Sequence, residues 1–138
     1  MHSDKLFSKN IEVRFRDLDA LGHVNNSVYF TYFEEGRKNL FEKLFENTDP
    51  YEFRFILAHI CCDYLIPAKL TDRLTLHVSI GDIGNKSFKL SYKLRDRIDE
   101  SKIFAKGESV QVCFDYKNNQ SIPVPEGLKN KLLEIRQK

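Results

Sequence analysis

The chain has 138 residues, 41% hydrophobic and 30% charged, and its 22 basic and 20 acidic side chains leave a net charge of +2. That length supports one domain around a single core, residues 1–138, and the near-balance of charge, without a basic stripe interleaved with aromatics, excludes an electrostatic case for nucleic acid. No apolar run reaches the roughly 20 residues of a membrane span, and Met1-His2-Ser3-Asp4-Lys5 lacks the basic-then-apolar order of a secretory leader.

Three cysteines, Cys61, Cys62 and Cys113, are an odd count with two adjacent. They make a poor disulfide framework, so a reducing, cytoplasmic setting is expected. The aromatic content is unusual: 11 Phe and 6 Tyr but no Trp. A Phe-rich interior suits either a tightly filled core or an apolar slot.

In chain order, Asn10 to Arg16 alternates, with Ile11, Val13 and Phe15 on one face, as a half-buried strand does. From Ser27 the period becomes helical: Tyr29, Phe33, Gly36, Leu40 and Leu44 recur, joined by Tyr32, Phe41 and Phe45. Ser27 or one of the asparagines before it is a good N-cap, and Glu34, Lys38, Glu42 and Glu46 take the opposite face. Gly36 costs helix stability relative to Ala, so a close packing contact is expected there. The helix should stop by Asn47-Thr48-Asp49-Pro50. Strands are then predicted over Phe53 to Leu65, Leu70 to Ile83, Ser87 to Arg97 and Lys102 to Tyr116, joined by short turns, and a terminal helix over Glu126 to Lys138. Short turns make neighbouring strands antiparallel, and a long helix with apolar residues over much of its circumference needs covering on several sides. An α+β fold with a curved antiparallel sheet wrapped around one long helix meets both demands. The uncovered sheet face and edge point to self-association.

Between the first strand and the helix lies Arg14-Phe15-Arg16-Asp17-Leu18-Asp19-Ala20-Leu21-Gly22-His23-Val24-Asn25-Asn26. Two carboxylates, a histidine and two asparagines sit just before a helix N-terminus, whose first N–H groups lack intrahelical acceptors. An anionic side chain facing such donors is what hydrolysis of an activated carbonyl needs. Asp19 could equally cap a turn or the helix. Asp17, one residue away on extended backbone, would face the other way and reads as structural, paired with Arg14 or Arg16.

The run Asp17-Leu18-Asp19-Ala20-Leu21-Gly22-His23-Val24-Asn25-Asn26, followed by Tyr29 and Phe33-Glu34, resembles the hotdog-fold acyl-CoA thioesterases of the 4-hydroxybenzoyl-CoA thioesterase type. The resemblance continues through Tyr64-Leu65-Ile66-Pro67-Ala68, Gly84-Asn85-Lys86-Ser87 and Ala105-Lys106-Gly107-Glu108. It implies Asp19 as catalytic base or nucleophile and Asn26 as backbone donor to the thioester oxygen; His23, on the loop between Asp19 and the helix, reads first as a support that orients Asp19 or binds substrate and second as a proton carrier, and could equally bond a backbone carbonyl. Gly22, Val24, Asn25 and Tyr29 around them are the candidate substrate-binding residues, with Asn25 equally able to cap the helix and Tyr29 to sit in the core. The resemblance also implies that Asn85, Lys86 and Ser87 approach the site of a partner subunit and its CoA, Lys86 as a point charge on phosphate. Family members assemble as dimers or tetramers with sites between subunits. Some relatives carry histidine where this chain has Asn26, tyrosine where it has Phe15, and a basic residue where it has Ile66. Hydrolysis of an acyl-CoA or acyl-carrier thioester, without a cofactor, is therefore expected. A dehydratase or isomerase on acyl thioesters, or a non-catalytic acyl-CoA-binding module, are the other readings.

Elsewhere, His59, Cys61 and Asp63 share one strand face and Cys62 takes the other, which splits any metal set; no metal site is expected. His77 reads as a solvated or interface strand residue. There is no Gly-rich phosphate loop and no Gly-x-Ser-x-Gly elbow.

Overall fold

In the computed structural model, which describes residues 7–46 and 54–137, six strands and two helices follow one another. They are β1 (Ser8–Glu12), α1 (Val28–Leu44), β2 (Phe55–Tyr64), β3 (Arg73–Ile83), β4 (Ser87–Asp96), β5 (Ile103–Asp115), β6 (Gln120–Ser121) and α2 (Glu126–Gln137). The strands form one antiparallel sheet in the order β1-β3-β4-β5-β2, with the two-residue β6 pairing β5.

The period-2 patterns of β3 and β4 explain where the core lies. Leu76 pairs with Leu94, Val78 with Tyr92 and Ile80 with Leu90, so these side chains share one face. All six are buried. Helix α1 lies on that face and buries Tyr29, Tyr32, Phe33, Gly36, Leu40 and Leu44. The stripe is the i, i+3, i+4, i+7 spacing of a helix with one side in a core. The result is the hotdog arrangement, a sheet curved around one long helix. Helix α2 buries Leu128 and Leu132 and closes the far end, where Lys131 Nζ donates to the Leu44 carbonyl at 2.9 Å, satisfying a C-terminal acceptor of α1.

Two polar side chains on the core face of β5, Ser109 and Gln111, are almost wholly buried. They are tolerated because they form a closed chain. Arg37 Nη1 donates to Tyr92 Oη at 3.2 Å, Tyr92 Oη and Ser109 Oγ are 2.6 Å apart, Ser109 bonds Gln111 Oε1, and Gln111 Nε2 donates to the Phe88 carbonyl at 3.1 Å. The Phe33 ring stacks on Tyr92 with centroids 4.5 Å apart, which seats the helix over this network.

Three expectations need correction. Strand β1 stops at Glu12, and Phe15 opens a 3-10 turn over Phe15–Asp17. The ring of Phe15 is therefore 80% exposed, whereas Ile11 and Val13 are buried. The turn is imposed by Asp17, whose Oδ2 accepts the Arg14 N–H at 2.9 Å. Asp17 is structural as expected, but through that backbone N–H and the Tyr32 hydroxyl (2.8 Å) rather than through a guanidinium. His77 is buried, not solvated: Arg95 Nε, from the neighbouring strand, donates to His77 Nε2 at 2.8 Å. The predicted turn at Asn47–Pro50, the strand start at Phe53 and the last residue of the terminal helix, Lys138, lie outside the described residues.

A Cβ added at Gly36 would stand 2.5 Å from Leu76 Cδ2 and 2.6 Å from Val78 Cγ2, so the helix lies against β3 as closely as a residue without a side chain allows. Gly36→Ala gains about 1 kcal/mol of helix propensity but overpacks the core by about 1–3 kcal/mol. The expected result is a net loss of about 1 kcal/mol in denaturant unfolding, with Lys38→Ala on the exposed face near neutral. A Gly36→Ala variant more stable than the parent would show that the contact is not limiting.

Candidate active site

The loop from Leu18 to Ser27 is fixed by its own backbone. Leu18 and Val24 form an antiparallel bridge, His23 bridges Lys69, and the Val24 N–H donates to the Ala68 carbonyl at 2.8 Å. The tip is a turn in which Gly22 N–H donates to the Asp19 carbonyl at 3.1 Å. Gly22 has φ +81°, a left-handed backbone that a side chain resists, which is why glycine stands there. Within this turn Asp19 Oδ1 accepts the N–H of Leu21 at 2.9 Å and of His23 at 3.2 Å. Asp19 is thus a turn-former, as one reading of the sequence had it. That role occupies one oxygen and leaves Oδ2 without a partner among the described residues.

Asn25 holds the loop to both neighbours. Its N–H donates to the Asp17 carbonyl at 2.8 Å, its carbonyl accepts the Val28 N–H at 2.9 Å, and its Oδ1 accepts both the N–H and hydroxyl of Ser27 at 3.0 Å. The chain entering the helix is therefore held by the Asn25 side chain, two residues before Ser27, and the Ser27 side chain makes no cap bond. A trans peptide points its N–H opposite its C=O. Because the Asn25 carbonyl turns toward α1, the Asn26 N–H points away from the helix, and no described residue accepts it. The first turn of α1 carries no acidic side chain to offset its positive end.

A cavity of about 240 Å³ opens here, lined by Asp19, His23, Val24, Asn26, Tyr29, Tyr64, Leu65, Ile66 and Pro67. Of the expected site residues it gathers Asp19, His23, Val24, Asn26 and Tyr29. Gly22 lies exposed outside it, and Asn25 turns its side chain to the cap. Asn85, Lys86 and Ser87 are not brought near within one chain. Seven residues of β5 separate Ala105, opposite Tyr64, from Val112, opposite Ser87, which is about 23 Å of extended strand. Sequence reasoning missed Tyr64, Leu65, Ile66 and Pro67 as site residues, although the stretch carried part of the family likeness. Its period-2 continuation from Ile60 and Cys62 was the available signal for Tyr64 facing the helix.

Tyr29 is 3% exposed, and the Ala68 N–H donates to its hydroxyl at 3.3 Å. Its ring meets Tyr64 edge-on with centroids 5.0 Å apart. Burial raises the pKa of both phenols, and the neighbouring Cys62 adds to this, so both stay protonated at neutral pH. Burial also pushes the Cys62 thiol up to about 11. Cysteine nucleophilicity requires thiolate, so Cys62 is chemically quiet beside the cavity. Among the described residues no group of three or more His, Cys, Asp or Glu stands in a metal-holding arrangement, and no helix is long and apolar enough to cross a membrane.

The shifts predict the thiol reactivity. Cys113 is buried and likewise pushed up to about 11, whereas Cys61 is exposed. Near neutral pH a chromogenic disulfide should label Cys61 first, with Cys62 and Cys113 reacting quickly only after unfolding or well into the alkaline range. Fast labelling of Cys62 in the folded protein would contradict this account of its surroundings.

Residues 13–132 match the family model of the thioesterase-like superfamily. The long-chain acyl-CoA thioesterase FadM of Escherichia coli is 30% identical over 127 residues, covering 91% of this chain and 96% of that one. A Thermus thermophilus thioesterase solved with coenzyme A and zinc superposes with a TM-score of 0.83 at 28% identity, covering 95% of this chain and 94% of that one. A predicted thioesterase from Bacillus stearothermophilus gives 0.82 at 28% identity, with 93% and 94% covered. The chain belongs to the thioesterase-like superfamily.

Proposed function

We propose that the chain hydrolyses acyl-CoA thioesters, with the cavity around Asp19 as the place of reaction. The observation that carries this reading is that Asp19 and Asn26 line one cavity, the first with an unshared Oδ2 and the second with an N–H that no described residue accepts. A thioester carbonyl seated between them has its oxygen at the helix N-terminus and its carbon toward Asp19 Oδ2. That oxygen either takes a proton from water as hydroxide adds to the carbonyl, or attacks directly to give an anhydride that water then opens. In both routes the carbonyl becomes an oxyanion beside the Asn26 N–H, and one such donor is worth about 3 kcal/mol of barrier. The C–S bond then breaks, the thiolate of CoA leaves and takes a proton, and the free acid remains. His23 forms a polar wall and fixes Asp19 through its backbone N–H.

The acyl chain has an apolar route along α1. Further along the helix lies a separate groove of about 570 Å³, lined by Glu34, Arg37, Lys38, Phe41, Glu42 and Phe45, whose two rings offer the apolar surface. Fifteen residues of helix from Asn26 to Phe41 span about 22 Å, the scale of a long alkyl chain. The likeness to FadM, named for long-chain substrates, supports this direction.

A second copy of the chain completes the arrangement. Strand β2 is an edge of the sheet, and along it Ile56, Leu57 and Tyr64 are 38%, 46% and 45% exposed. Unpaired backbone with apolar side chains invites pairing with an identical strand. Such pairing is also the way for the Asn85-Lys86-Ser87 turn to serve a site, since within one chain it lies at the other end of the sheet.

Thiol release from a panel of acyl-CoA substrates tests the activity; double-bond absorbance without thiol would instead indicate dehydration, and binding without turnover a module. Asp19→Asn keeps the Oδ1 acceptor that shapes the loop, so folding should survive while kcat falls at least about a hundred-fold. Retention of most activity would remove Asp19 from the reaction. Leu57→Asp should shift the sedimenting species from oligomer to monomer, and an unchanged distribution would take β2 out of the interface.

A further inference from the structure

Tyr64 stands in the cavity yet is absent from the chemistry above, and its hydroxyl is aimed at the backbone. Tyr64 Oη donates to the Asn26 carbonyl at 3.0 Å. That carbonyl lies one residue before the helix cap, outside the intrahelical ladder. The ring of Tyr64 packs edge-on against Tyr29, which is held by the Ala68 N–H. Asn26 is therefore gripped on both sides: its preceding peptide by the Val28 N–H on the Asn25 carbonyl, its following peptide by a phenol from β2.

We infer that Tyr64 is a positioning residue for thioester hydrolysis, holding the Asn26 backbone so that its N–H meets the developing oxyanion. The inference rests on the hydrolytic reading. The Asn26 N–H belongs to the peptide before its Cα and the Asn26 carbonyl to the peptide after it, so anchoring the carbonyl limits the movement of the shared Cα and, with it, of the N–H. The loop alone leaves the carbonyl side of Asn26 without a protein partner; the phenol from the sheet supplies it. A donor that wanders by a fraction of an ångström stabilises the ground state about as well as before and the transition state less. The loss of this hydroxyl should therefore appear in kcat and not in KM.

Tyr64→Phe keeps the ring and its contact with Tyr29 and removes the hydroxyl, with its bond to the Asn26 carbonyl and its contact with the Cys62 thiol; Cys62→Ala, which removes only the latter, should leave kcat unchanged. The ring and its packing stay in place, so the fold should be undisturbed, which the melting temperature and the sedimenting species of the variant both read. On an acyl-CoA that the parent hydrolyses, kcat should fall about ten-fold with KM within two-fold and the melting temperature unchanged. Tyr64→Ala, which also removes the ring, should lose as much kcat and raise KM in addition. An unchanged kcat in Tyr64→Phe overturns the inference, as does a loss carried by KM or accompanied by a lower melting temperature. The two readings fail differently. A parent chain without thiol release, or an active Asp19→Asn, sinks hydrolysis itself; an active parent, a dead Asp19→Asn and a fully active Tyr64→Phe sink only the role of Tyr64.

Discussion

One oxygen of Asp19 holds its own loop, and the site depends on that division of labour. Oδ1 accepts the N–H groups of Leu21 and His23, so the carboxylate plane is fixed by the backbone it has bent. A free aspartate on a loop would sample several rotamers, and fixing one of them costs conformational entropy. Here that ordering is done during folding. The same turn requires the left-handed Gly22 at its tip and the bridge from Leu18 to Val24 at its base. Beneath it, Asp17 fastens the chain to Tyr32 of α1. Burial, then the adjacent carboxylate, raise the Tyr32 pKa and keep it a donor. Two aspartates two residues apart thus do different work: one ties the loop to the helix, the other shapes the tip.

Most of the fold was legible because its strands have two distinguishable faces. In β4 the apolar residues recur every second position and burial alternates with them, while in β3 the same apolar period is legible although Thr75 and His77 between them are buried too. Legibility failed where a side-chain bond overrode the pattern. Phe15 continues the alternation of Ile11 and Val13, yet Asp17 bends the backbone first and turns the ring outward. For His77, expected as a solvated or interface residue, the structure removes the solvated half: it is buried and bonded to Arg95, eighteen residues later, a partner that a single strand does not reveal.

The site divided along similar lines. Its contiguous half, Asp19 to Tyr29, could be read because turn formers, a carboxylate and a helix start occur in one run. Its other half comes from Tyr64 to Pro67, where β2 leaves the sheet, and nothing local announces that these residues meet the loop. The register does it. Tyr64 pairs with Ala105, and the next two N–H groups, of Leu65 and Ile66, both donate to the Phe104 carbonyl at 2.8 and 3.1 Å. That shared acceptor carries the chain across the mouth of the cavity and sends Ala68 to the loop. Asn85, Lys86 and Ser87 illustrate the converse: one chain holds them far from its own cavity.

Strand β2 therefore faces two ways. Its last residue reaches the helix end, while its outer edge carries unpaired backbone and the apolar side chains Ile56 and Leu57. Its ladder with β5 is interrupted between Leu57 and His59, an irregularity that bends an edge strand and raises its local twist. An edge left to itself frays more readily than an internal strand, because one side lacks cross-strand bonds. Fraying at Tyr64 would loosen its hold on the Asn26 carbonyl. A strand clamped on both sides would hold Tyr64 more tightly. Association through β2 would then steady the helix-end donor of each copy in addition to covering apolar surface, so assembly and catalysis would be linked through the same ten residues of β-strand.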